Sequence, residues 1–422
     1  MTALLSSESP AHDISASALD ALALPRHRWY FFKEAFSPSI VSYAIESEGL
    51  RRNDTIYDPF SGGGTTVVEA SRLGRPSVGR EVNPFLVSVA RAKLVDCTVS
   101  SIRRTSALAI AGGMKGRSSR LERFSTFSDS GQAKKWLFNR EVLRSYSGAR
   151  HAVTGMRGGA AHIIRMALIG AAMDCSNARK DGKCLRYKTD WHLAEYDSGS
   201  FIEAFGARVA IIIEDLESTP MSRKGTVLSG DSRRHNPGVG FRLCLTSPPY
   251  LNSFDYTDVY RPELFLGEFV ASMEELTAIR HRTIRSHVQV RWADPRATEF
   301  GPSYAAVSRA LHRRSSELWN ARIPRMVQAY FEDMQLVLSR LRSRAGRGAA
   351  AWFVVSTSAY AGLEIPVDTI LAELAERTGW HVRRIQTLRY LDRIANQQWS
   401  ALSEGRSHPY LRESVVILDR MS

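Results

Sequence analysis

The chain has 422 residues, 44% of them hydrophobic and 24% charged, and it carries a formal net charge of +14. This balance is ordinary for a soluble globular protein, and the length allows a large core and two or three domains. The basic excess favours a polyanionic partner, above all nucleic acid. No apolar run approaches the roughly 18 residues that a membrane span needs, and no signal peptide is apparent, so we expect no membrane partner and a cytoplasmic location. The four cysteines form no Cys-x-x-Cys pair, so no metal site is predicted.

The first hundred residues predict a flexible tail and then the opening of an α/β fold. Residues 1–25 are predicted to be the tail, and residues 26–97 the cofactor-binding part of the core. Within that part, the aromatic and apolar residues from Trp29 to Glu48 suggest a helix, with Pro38 near its start. A short buried strand then precedes a glycine turn and a helix that ends at Gly74. A second strand leads to Glu81, where Asn83 is typical of a helix N-cap and Pro84 of a first helical residue. This β-turn-α-β-α order predicts a doubly wound parallel sheet.

Two basic stretches interrupt this alternation. Residues 98–222 are predicted to form an inserted, largely helical subdomain that is a candidate for target recognition. Residues 223–422 are predicted to complete the core as its catalytic part, with a second basic insertion over residues 251–318. In this part we expect strands at 226–231, 241–246 and 352–355, and a helix from Pro324 that is stopped by Gly346. A helix over 366–377 and two closing strands complete the prediction.

The glycine turn lies in the run Asp58-Pro59-Phe60-Ser61-Gly62-Gly63-Gly64-Thr65-Thr66. Glycines let the backbone approach a ligand closely, and the following helix N-terminus offers unpaired N–H groups and a partial positive charge. The run has no Gly-Lys-Ser/Thr, which disfavours a nucleotide-phosphate loop. An acidic residue at the end of the next strand, here Glu81, is placed to accept both hydroxyls of a ribose. The combination predicts a site for a nucleoside-containing cofactor.

A second motif, Ser247-Pro248-Pro249-Tyr250, follows the apolar strand 241–246. Its two prolines fix the backbone and remove two N–H donors, so nearby carbonyl groups face a ligand without competition. The serine oxygen and the Pro248 carbonyl are both suited to accept hydrogen bonds from an amino group. The tyrosine ring offers a stacking face for a flipped base. The motif therefore predicts a pocket for a planar base with an exocyclic amine.

Together these two motifs resemble those of the S-adenosylmethionine-dependent DNA amino-methyltransferases, which modify cytosine N4 or adenine N6. Residues 58–66 match the family's cofactor pattern, and residues 247–250 match its catalytic pattern. Residues 27–37 are similar to the family's segment upstream of the glycine turn, residues 79–84 to its ribose-binding segment, and residues 229–231 to the strand end beside the adenine. The resemblance implies a Rossmann-like methyltransferase sheet with S-adenosyl-L-methionine as cofactor and double-stranded DNA as partner.

The resemblance also implies a role for individual residues. The catalytic set would be Ser247 and Pro248, which orient the amine, with Pro249 and with Tyr250, which stacks on the base. Glu81 would hold the ribose, with Asn83 in the same segment, and Asp231 would border the adenine. The residues implied around the methionine part of the cofactor are Lys33, Phe36, Asp58, Phe60, Gly62, Gly64, Thr65 and Thr66. Gly63 stands where many relatives have serine, which removes one hydroxyl contact.

The resemblance leaves more than one target amine open. Serine at the first position of the catalytic motif goes mostly with cytosine N4, so a cytosine-N4 enzyme in a restriction-modification system is the main expectation. An adenine-N6 enzyme and an RNA guanine-N2 methyltransferase are the alternatives, and a non-catalytic DNA-binding protein is a third. Methylation at carbon 5 of cytosine is disfavoured because the chain has no Pro-Cys pair. The recognition sequence and a cognate restriction endonuclease stay open.

Overall fold

The computed structural model describes residues 18–129, 134–181, 184–391 and 410–421. The strands are β1 Ile56–Asp58, β2 Ser77–Glu81, β3 Ala178–Lys180, β4 Leu185–Tyr187, β5 Thr226–Ser229, β6 Phe241–Thr246, β7 Ala345–Ser356, β8 Ser358–Tyr360, β9 Leu363–Ile365, β10 His381–Tyr390 and β11 Arg412–Asp419. The helices are α1 Pro38–Ser47, α2 Thr65–Arg72, α3 Pro84–Lys93, α4 Val99–Lys115, α5 Arg140–Ala152, α6 Gly159–Asp174, α7 Ser198–Ser218, α8 Tyr256–Val259, α9 Arg261–Leu266, α10 Met273–Arg280, α11 Pro302–Arg313, α12 Ile323–Arg342 and α13 Val367–Arg377. None of these helices is both long enough and apolar enough to cross a bilayer.

The core is a central sheet whose strands follow the order β10-β11-β7-β6-β1-β2-β5. The pairs from β7 to β5 are parallel, while β11 pairs antiparallel with both β7 and β10. The strand β11 is therefore reversed, and the other six strands run in one direction. The middle strands β6 and β7 are almost wholly buried, as expected for a sheet that is covered on both faces. The predicted α/β fold with a doubly wound sheet is confirmed.

The local signals around the first two crossovers act as the sequence predicts. Helix α2 begins after Gly64, whose φ of +94° is left-handed and unfavourable for other residues. The Asn83 side chain caps α3 by accepting from the backbone N–H groups of Phe85 and Leu86, and Pro84 is the first helical residue. These two helix starts bring backbone N–H groups to the carboxyl-terminal edge of the sheet.

The chain between α3 and β5 forms a helical subdomain beside the sheet. Its helices α4 to α7 pack on one another around buried apolar side chains, and β3 and β4 form a small antiparallel hairpin at one side. Helices α4 and α5 approach closely where Gly112 meets Gly148, since a Cβ on Gly148 would lie 2.2 Å from the Gly112 carbonyl oxygen. Any larger residue there would force the two helices apart.

Two helix predictions were wrong in their limits. The helix predicted over residues 29–48 has Pro38 at its start, as expected, but residues 29–37 lie outside it. Ser37 caps the helix, and a proline is tolerated in the first turn but not in the interior. The helix α12 ends at Arg342, and Gly346 lies within β7 instead of stopping the helix. A Cβ on Gly346 would lie 3.1 Å from the Phe241 carbonyl oxygen, so this glycine allows the close approach of β7 to β6.

Part of the segment predicted as a flexible tail is packed. Residues Ala18–Leu22 form a short 3-10 helix in which Ala18 and Ala21 are buried. The Ser37 hydroxyl donates to Asp20 at 2.7 Å, which ties this turn to the N-terminus of α1. Residues 1–17 lie outside the described part of the chain.

The carboxylate of Asp215 on α7 joins the helical subdomain to the segment that leads into the core. This side chain is fully buried. It accepts hydrogen bonds from the backbone N–H of Arg26 at 2.7 Å, from Arg28 Nε at 3.0 Å and from Trp29 Nε1 at 2.8 Å. Three donors around one buried carboxylate satisfy its charge and fix residues 26–29 against α7.

We expect Asp215→Ala to lower the free energy of unfolding by about 3–5 kcal/mol, because the substitution leaves buried donors and part of an ion pair without an acceptor. The matched control is Glu214→Ala, since the side chain of Glu214 is 66% exposed and pairs with the same Arg28. This control should cost about 1 kcal/mol at most. Chemical denaturation followed by circular dichroism measures both values, and equal losses in the two variants would contradict the role of Asp215.

Candidate active site

A cleft of about 770 Å³ lies at the carboxyl-terminal ends of β1, β2, β5 and β6. This is the edge at which open α/β sheets bind their ligands. The cleft is lined by Phe32, Glu34, Pro59, Phe60, Gly62, Glu81, Val82, Asn83, Leu86, Gly230, Asp231, Ser232, Ser247, Pro249, Tyr256, Thr257, Arg282, Thr283, Ile284, Ser286 and His287. Among the predicted site residues, this set includes Phe60, Gly62, Glu81, Asn83, Asp231, Ser247 and Pro249. The two motifs, far apart in the chain, thus open into one cavity.

The glycine turn forms the floor of the cleft beside an aromatic ring. Gly62 has a left-handed φ of +49°, and a Cβ at this position would lie 2.8 Å from the ring of Phe32. A Cβ on Gly63 would lie 2.9 Å from the Phe32 Cβ atom, so Phe32 disfavours a serine at this position. Gly64 and Thr65 begin α2 behind this floor and do not line the cleft.

The carboxylate of Glu81 is held at the end of β2 by backbone donors. It accepts hydrogen bonds from the N–H groups of Gly62 at 2.9 Å, Val82 at 2.9 Å and Asn83 at 2.8 Å. Burial nevertheless dominates, and it raises the pKa of Glu81 to about 7. The three amides fix the orientation of the carboxylate, which borders the cavity as a ribose-binding group should.

Asp58 lies behind the cleft, where it links the strands that carry the two motifs. Its Oδ1 accepts from the Phe60 backbone N–H at 3.0 Å and from the Thr246 hydroxyl at 2.6 Å. Burial raises the pKa of Asp58 to about 6, against the opposing effect of these hydrogen bonds. The hydroxyl of Thr66 donates to the Leu245 carbonyl at 3.2 Å and adds a second link to β6. In this structure Asp58 and Thr66 position the turn rather than line the cavity.

Asp231 borders the cleft, but its carboxylate is engaged by arginine. Arg233 Nε and Nη2 lie 3.0 Å and 2.8 Å from the two carboxylate oxygens of Asp231, and Arg233 Nη1 continues to Asp333 at 2.9 Å. Asp333 in turn accepts from Arg285 Nε at 3.1 Å. This buried chain of charges holds the end of β5 against α12.

The catalytic motif divides between the cleft and the sheet behind it. Ser247 and Pro249 line the cavity, whereas Pro248 is buried beside it. The hydroxyl of Tyr250 donates to Glu413 on β11, and the ring is not part of the cavity lining. Tyr256, six residues further on, lines the cavity instead. The stacking role predicted for Tyr250 therefore stays a prediction, and Tyr256 is a second aromatic at the site.

The upstream segment contributes residues other than those predicted. Lys33 is exposed and does not line the cavity. Phe36 is buried in the core cluster between α1 and the sheet. Phe32 and Glu34 line the cleft, and Glu34 Oε2 accepts from the Tyr260 hydroxyl at 2.6 Å. The sequence signal for Phe32 was available, because it precedes Lys33 in the segment that resembles the family's upstream motif.

A loop that no motif predicted forms the opposite wall of the cleft. We call residues 281–293 the strap. Arg282, Thr283, Ile284, Ser286 and His287 of the strap line the cavity. The strap is fixed because the Arg285 backbone N–H donates to Asp333 at 2.9 Å and the Ser253 N–H donates to the Ser286 carbonyl at 3.0 Å. Sequence reasoning treated this region only as a basic insertion, since no local pattern connects it to the sheet.

Comparison with known proteins agrees with this fold and site. Residues 31–92 match the model of the N6/N4 methyltransferase family, described as DNA methylase. The chain is 26% identical over 391 residues to the Type II methyltransferase M.AvaI of Nostoc sp., which covers 86% of this chain and 81% of that protein. It is 25% identical over 457 residues to the Type II methyltransferase M.BsoBI of Geobacillus stearothermophilus, covering 93% and 85%. These matches support a methyltransferase, and the resemblance to the N4/N6 amino-methyltransferases is confirmed.

The family match supports S-adenosylmethionine as the cofactor, and the residues of the cleft fit this group. The floor at Gly62 has no room for a side chain, the Glu81 carboxylate suits two ribose hydroxyls, and the acidic environment suits a cationic ligand. None of the described residues that line the cavity is a cysteine, so the site offers no thiol nucleophile. The ring of Phe60 and the side chain of Val82 give the cavity apolar surface.

We expect Glu81→Gln to weaken cofactor binding about 10- to 100-fold, in line with the roughly 1.5–3 kcal/mol of a hydrogen bond to a charged group. Isothermal titration with S-adenosylmethionine measures the affinity, and Glu46→Gln, an exposed acid on α1, is the matched control. Because the pKa of Glu81 is raised to about 7, its ionised form is lost as the pH falls through 7. Wild-type affinity should therefore decline below that pH, and a similar decline in Glu81→Gln would contradict the assignment.

Proposed function

We propose that this protein is a Type II DNA methyltransferase that transfers a methyl group from S-adenosylmethionine to the exocyclic N4 amine of cytosine. The observation that carries the proposal is the presence of Glu81 and Ser247 on one cavity, where they would serve as the cofactor-binding acid and the amine acceptor. The relatives named above are Type II methyltransferases, which favours DNA as the substrate. A restriction-modification system is the setting that this class of relative suggests, with a cognate endonuclease as a further partner.

The chain's own residues do two things for such a reaction. An exocyclic amine is a poor nucleophile because its lone pair is delocalised into the ring. Ser247 and the Pro248 carbonyl would accept hydrogen bonds from the amine and favour the tetrahedral geometry in which this pair is free. The bound cofactor would supply a methyl group that is already activated by its positive sulfur. Orientation and exclusion of water by the cleft then provide much of the remaining rate enhancement.

Cytosine is preferred over adenine on the strength of Ser247 alone. The first motif residue in the family is mostly serine for cytosine N4 and mostly aspartate or asparagine for adenine N6. The deciding measurement uses labelled S-adenosylmethionine, unmethylated DNA, and mass spectrometry of the digested nucleosides. N4-methylcytosine supports the proposal, while N6-methyladenine would keep the enzyme class and overturn the target. Transfer to RNA alone would move the protein to the guanine-N2 alternative.

The helical subdomain carries a basic and aromatic surface that we propose contacts the DNA. Three rings lie together here, with the centroids of Trp136 and Trp191 4.7 Å apart and those of Tyr187 and Trp191 5.6 Å apart. We call this group with its exposed cations the hairpin surface, because β3 and β4 form its centre. Its exposed basic residues are Lys134, Lys135, Arg179 and Arg186. Cations interleaved with aromatic rings suit phosphates and unstacked bases.

The hairpin surface is joined to the cleft through buried polar contacts. The ammonium group of Lys180 on β3 lies 3.5 Å from the centroid of the Tyr260 ring and forms an ion pair with Glu263. The Tyr260 hydroxyl donates to Glu34, which lines the cavity. DNA that contacts the hairpin would therefore pass beside the cavity that receives the flipped base.

For the catalytic motif, we expect Ser247→Ala to lower the single-turnover rate of methyl transfer by about 100-fold or more, since the substitution removes one preorganised hydrogen-bonding group at the reacting centre. Cofactor affinity should stay unchanged. Ser339→Ala on α12 is the control, because that hydroxyl only bonds the Gln335 carbonyl of its own helix. Tritium transfer to DNA measures the rate. Full activity in Ser247→Ala would remove this residue from the mechanism.

For the hairpin surface, we expect the double substitution Lys135→Gln with Arg179→Gln to weaken DNA binding. The slope of log affinity against log salt should become less steep by roughly 0.9 for each phosphate that the variant no longer neutralises, or about 2 in total. The control pair is Arg51→Gln with Arg52→Gln, exposed in the turn before β1 at the opposite edge of the sheet. Fluorescence anisotropy of a labelled duplex at several salt concentrations gives both slopes. An identical change in the control pair would mean that net charge alone is responsible.

A further inference from the structure

His287 on the strap is a buried imidazole that the known motifs leave without a role. Only 2% of its surface is exposed, yet it lines the cavity together with Ser247, Tyr256 and Thr257. Neither of its ring nitrogens makes a hydrogen bond of good distance and angle to any residue that the structure describes, although the Gln289 side chain lies beside the ring. Buried polar groups normally have a partner, and an unpaired one costs about 1–3 kcal/mol. An imidazole kept in this state on the wall of an active-site cleft indicates a partner that arrives with the substrate.

One of the two ring nitrogens of His287, Nε2, faces the negative charge of Asp255. Its Nε2 lies 4.0 Å from Asp255 Oδ1, and the other oxygen of Asp255 pairs with Arg280 Nε at 2.7 Å. Asp255 is itself held as the N-cap of α8, where it accepts from the Thr257 backbone N–H at 3.0 Å. A carboxylate facing Nε2 favours the tautomer with its proton on Nε2. The lone pair then resides on Nδ1, which makes that nitrogen a hydrogen-bond and proton acceptor.

The groups around the ring act in both directions. The positive charge of Arg280 and His281 disfavours a charged imidazole, whereas Asp255 and the Gln289 side chain favour it. The Trp292 ring packs against His287 at 5.0 Å between centroids. Burial is the largest effect and lowers the pKa of His287 below its ordinary value, while Asp255 opposes this change. The imidazole is thus in its acceptor form at neutral pH.

We propose that His287 accepts the proton that the target amine loses during methyl transfer, and that Asp255 is the positioning residue that orients its ring. The inference rests on the proposed function. The amine lone pair forms the new N–C bond, while the electron pair of the breaking C–S bond stays on sulfur and neutralises it. The methylated nitrogen, now positive, gives one proton to Nδ1 of His287. The imidazolium faces Asp255 and returns the proton to solvent when the product leaves.

The first test compares His287→Gln with wild type in single-turnover methylation of a duplex. The target position is first located by sequencing methylated DNA from cells that express the protein. We expect the rate to fall about 100-fold or more, within the range of general acid–base catalysis, with dissociation constants for cofactor and DNA within about threefold of wild type. His151→Gln is the matched control, because that histidine is exposed on α5 and does not line the cavity. A His287→Gln rate close to that of wild type would overturn the inference.

Two further readouts separate proton acceptance from a merely structural role. The wild-type rate should fall as the pH drops through the pKa of His287, since the protonated ring accepts nothing, and Asp255→Asn should shift this profile. In His287→Ala, added imidazole should restore part of the rate. An unchanged profile and no rescue by imidazole would count against the inference. If wild type methylates no DNA at all, the proposed function fails instead, so the two failures are distinguishable.

A spectroscopic measurement addresses the same residue without turnover. Histidine labelled with ¹⁵N reports the tautomer and protonation of each ring, and His287→Gln identifies the signal. With the demethylated cofactor product and the duplex bound, the Nδ1 signal of His287 should move from that of a free acceptor to that of a hydrogen-bonded one. A signal that is identical with and without the duplex would show that the base does not reach the ring and would overturn the inference.

Discussion

The hydrogen bond from the Thr246 hydroxyl to Asp58 Oδ1, 2.6 Å long, joins two strands that lie 188 residues apart in the chain. It fastens the start of the glycine turn to the end of β6, from which the catalytic motif continues. The cleft exists because this contact and the parallel pairing of β1 with β6 place both motifs at one edge of the sheet. Burying the charged carboxylate of Asp58, which provides this link, costs free energy. Burial raises the pKa of Asp58 to about 6 and that of Glu81 to about 7, so both acids disfavour their charged forms in the free protein.

The raised pKa values of Asp58 and Glu81 determine how these two acids affect stability at neutral pH. A carboxyl group with a raised pKa in the folded state stabilises the fold at low pH and loses that contribution as the pH rises through the raised value. At neutral pH the free protein therefore holds Asp58 in an unfavourable charged form and Glu81 at the middle of its titration. Of the two acids, only Glu81 lines the cavity, so a ligand whose hydroxyl groups donate to Glu81 would offset part of that cost.

Much of the core followed from local sequence signals, while the walls of the cleft did not. The N-cap at Asn83, the glycine turn and the strand before Ser247 are determined by neighbouring residues, and their positions in the structure agree with those predicted. Phe32 lies in the upstream segment that the resemblance singled out, but the prediction chose Phe36, and only the packing of α1 shows that Phe36 belongs to the core. The strap was missed for a similar reason. Its position depends on Arg285 meeting Asp333 on α12, an interaction between residues 48 apart that leaves no periodic pattern.

The reversed strand β11 gives the closing part of the chain a direct connection to the catalytic motif. The Tyr250 hydroxyl donates to Glu413 on β11, and Glu413 also accepts from Arg389 Nε on β10 at 2.8 Å. Desolvation and the nearby Glu413 charge raise the pKa of Tyr250, so the phenol stays a neutral donor. The Tyr250 ring is tethered through its hydroxyl, whereas Tyr256 on the cleft wall packs on the ring of Phe254 at 4.5 Å between centroids. The motif tyrosine is thus anchored to β11, and Tyr256 is a second aromatic that lines the cavity.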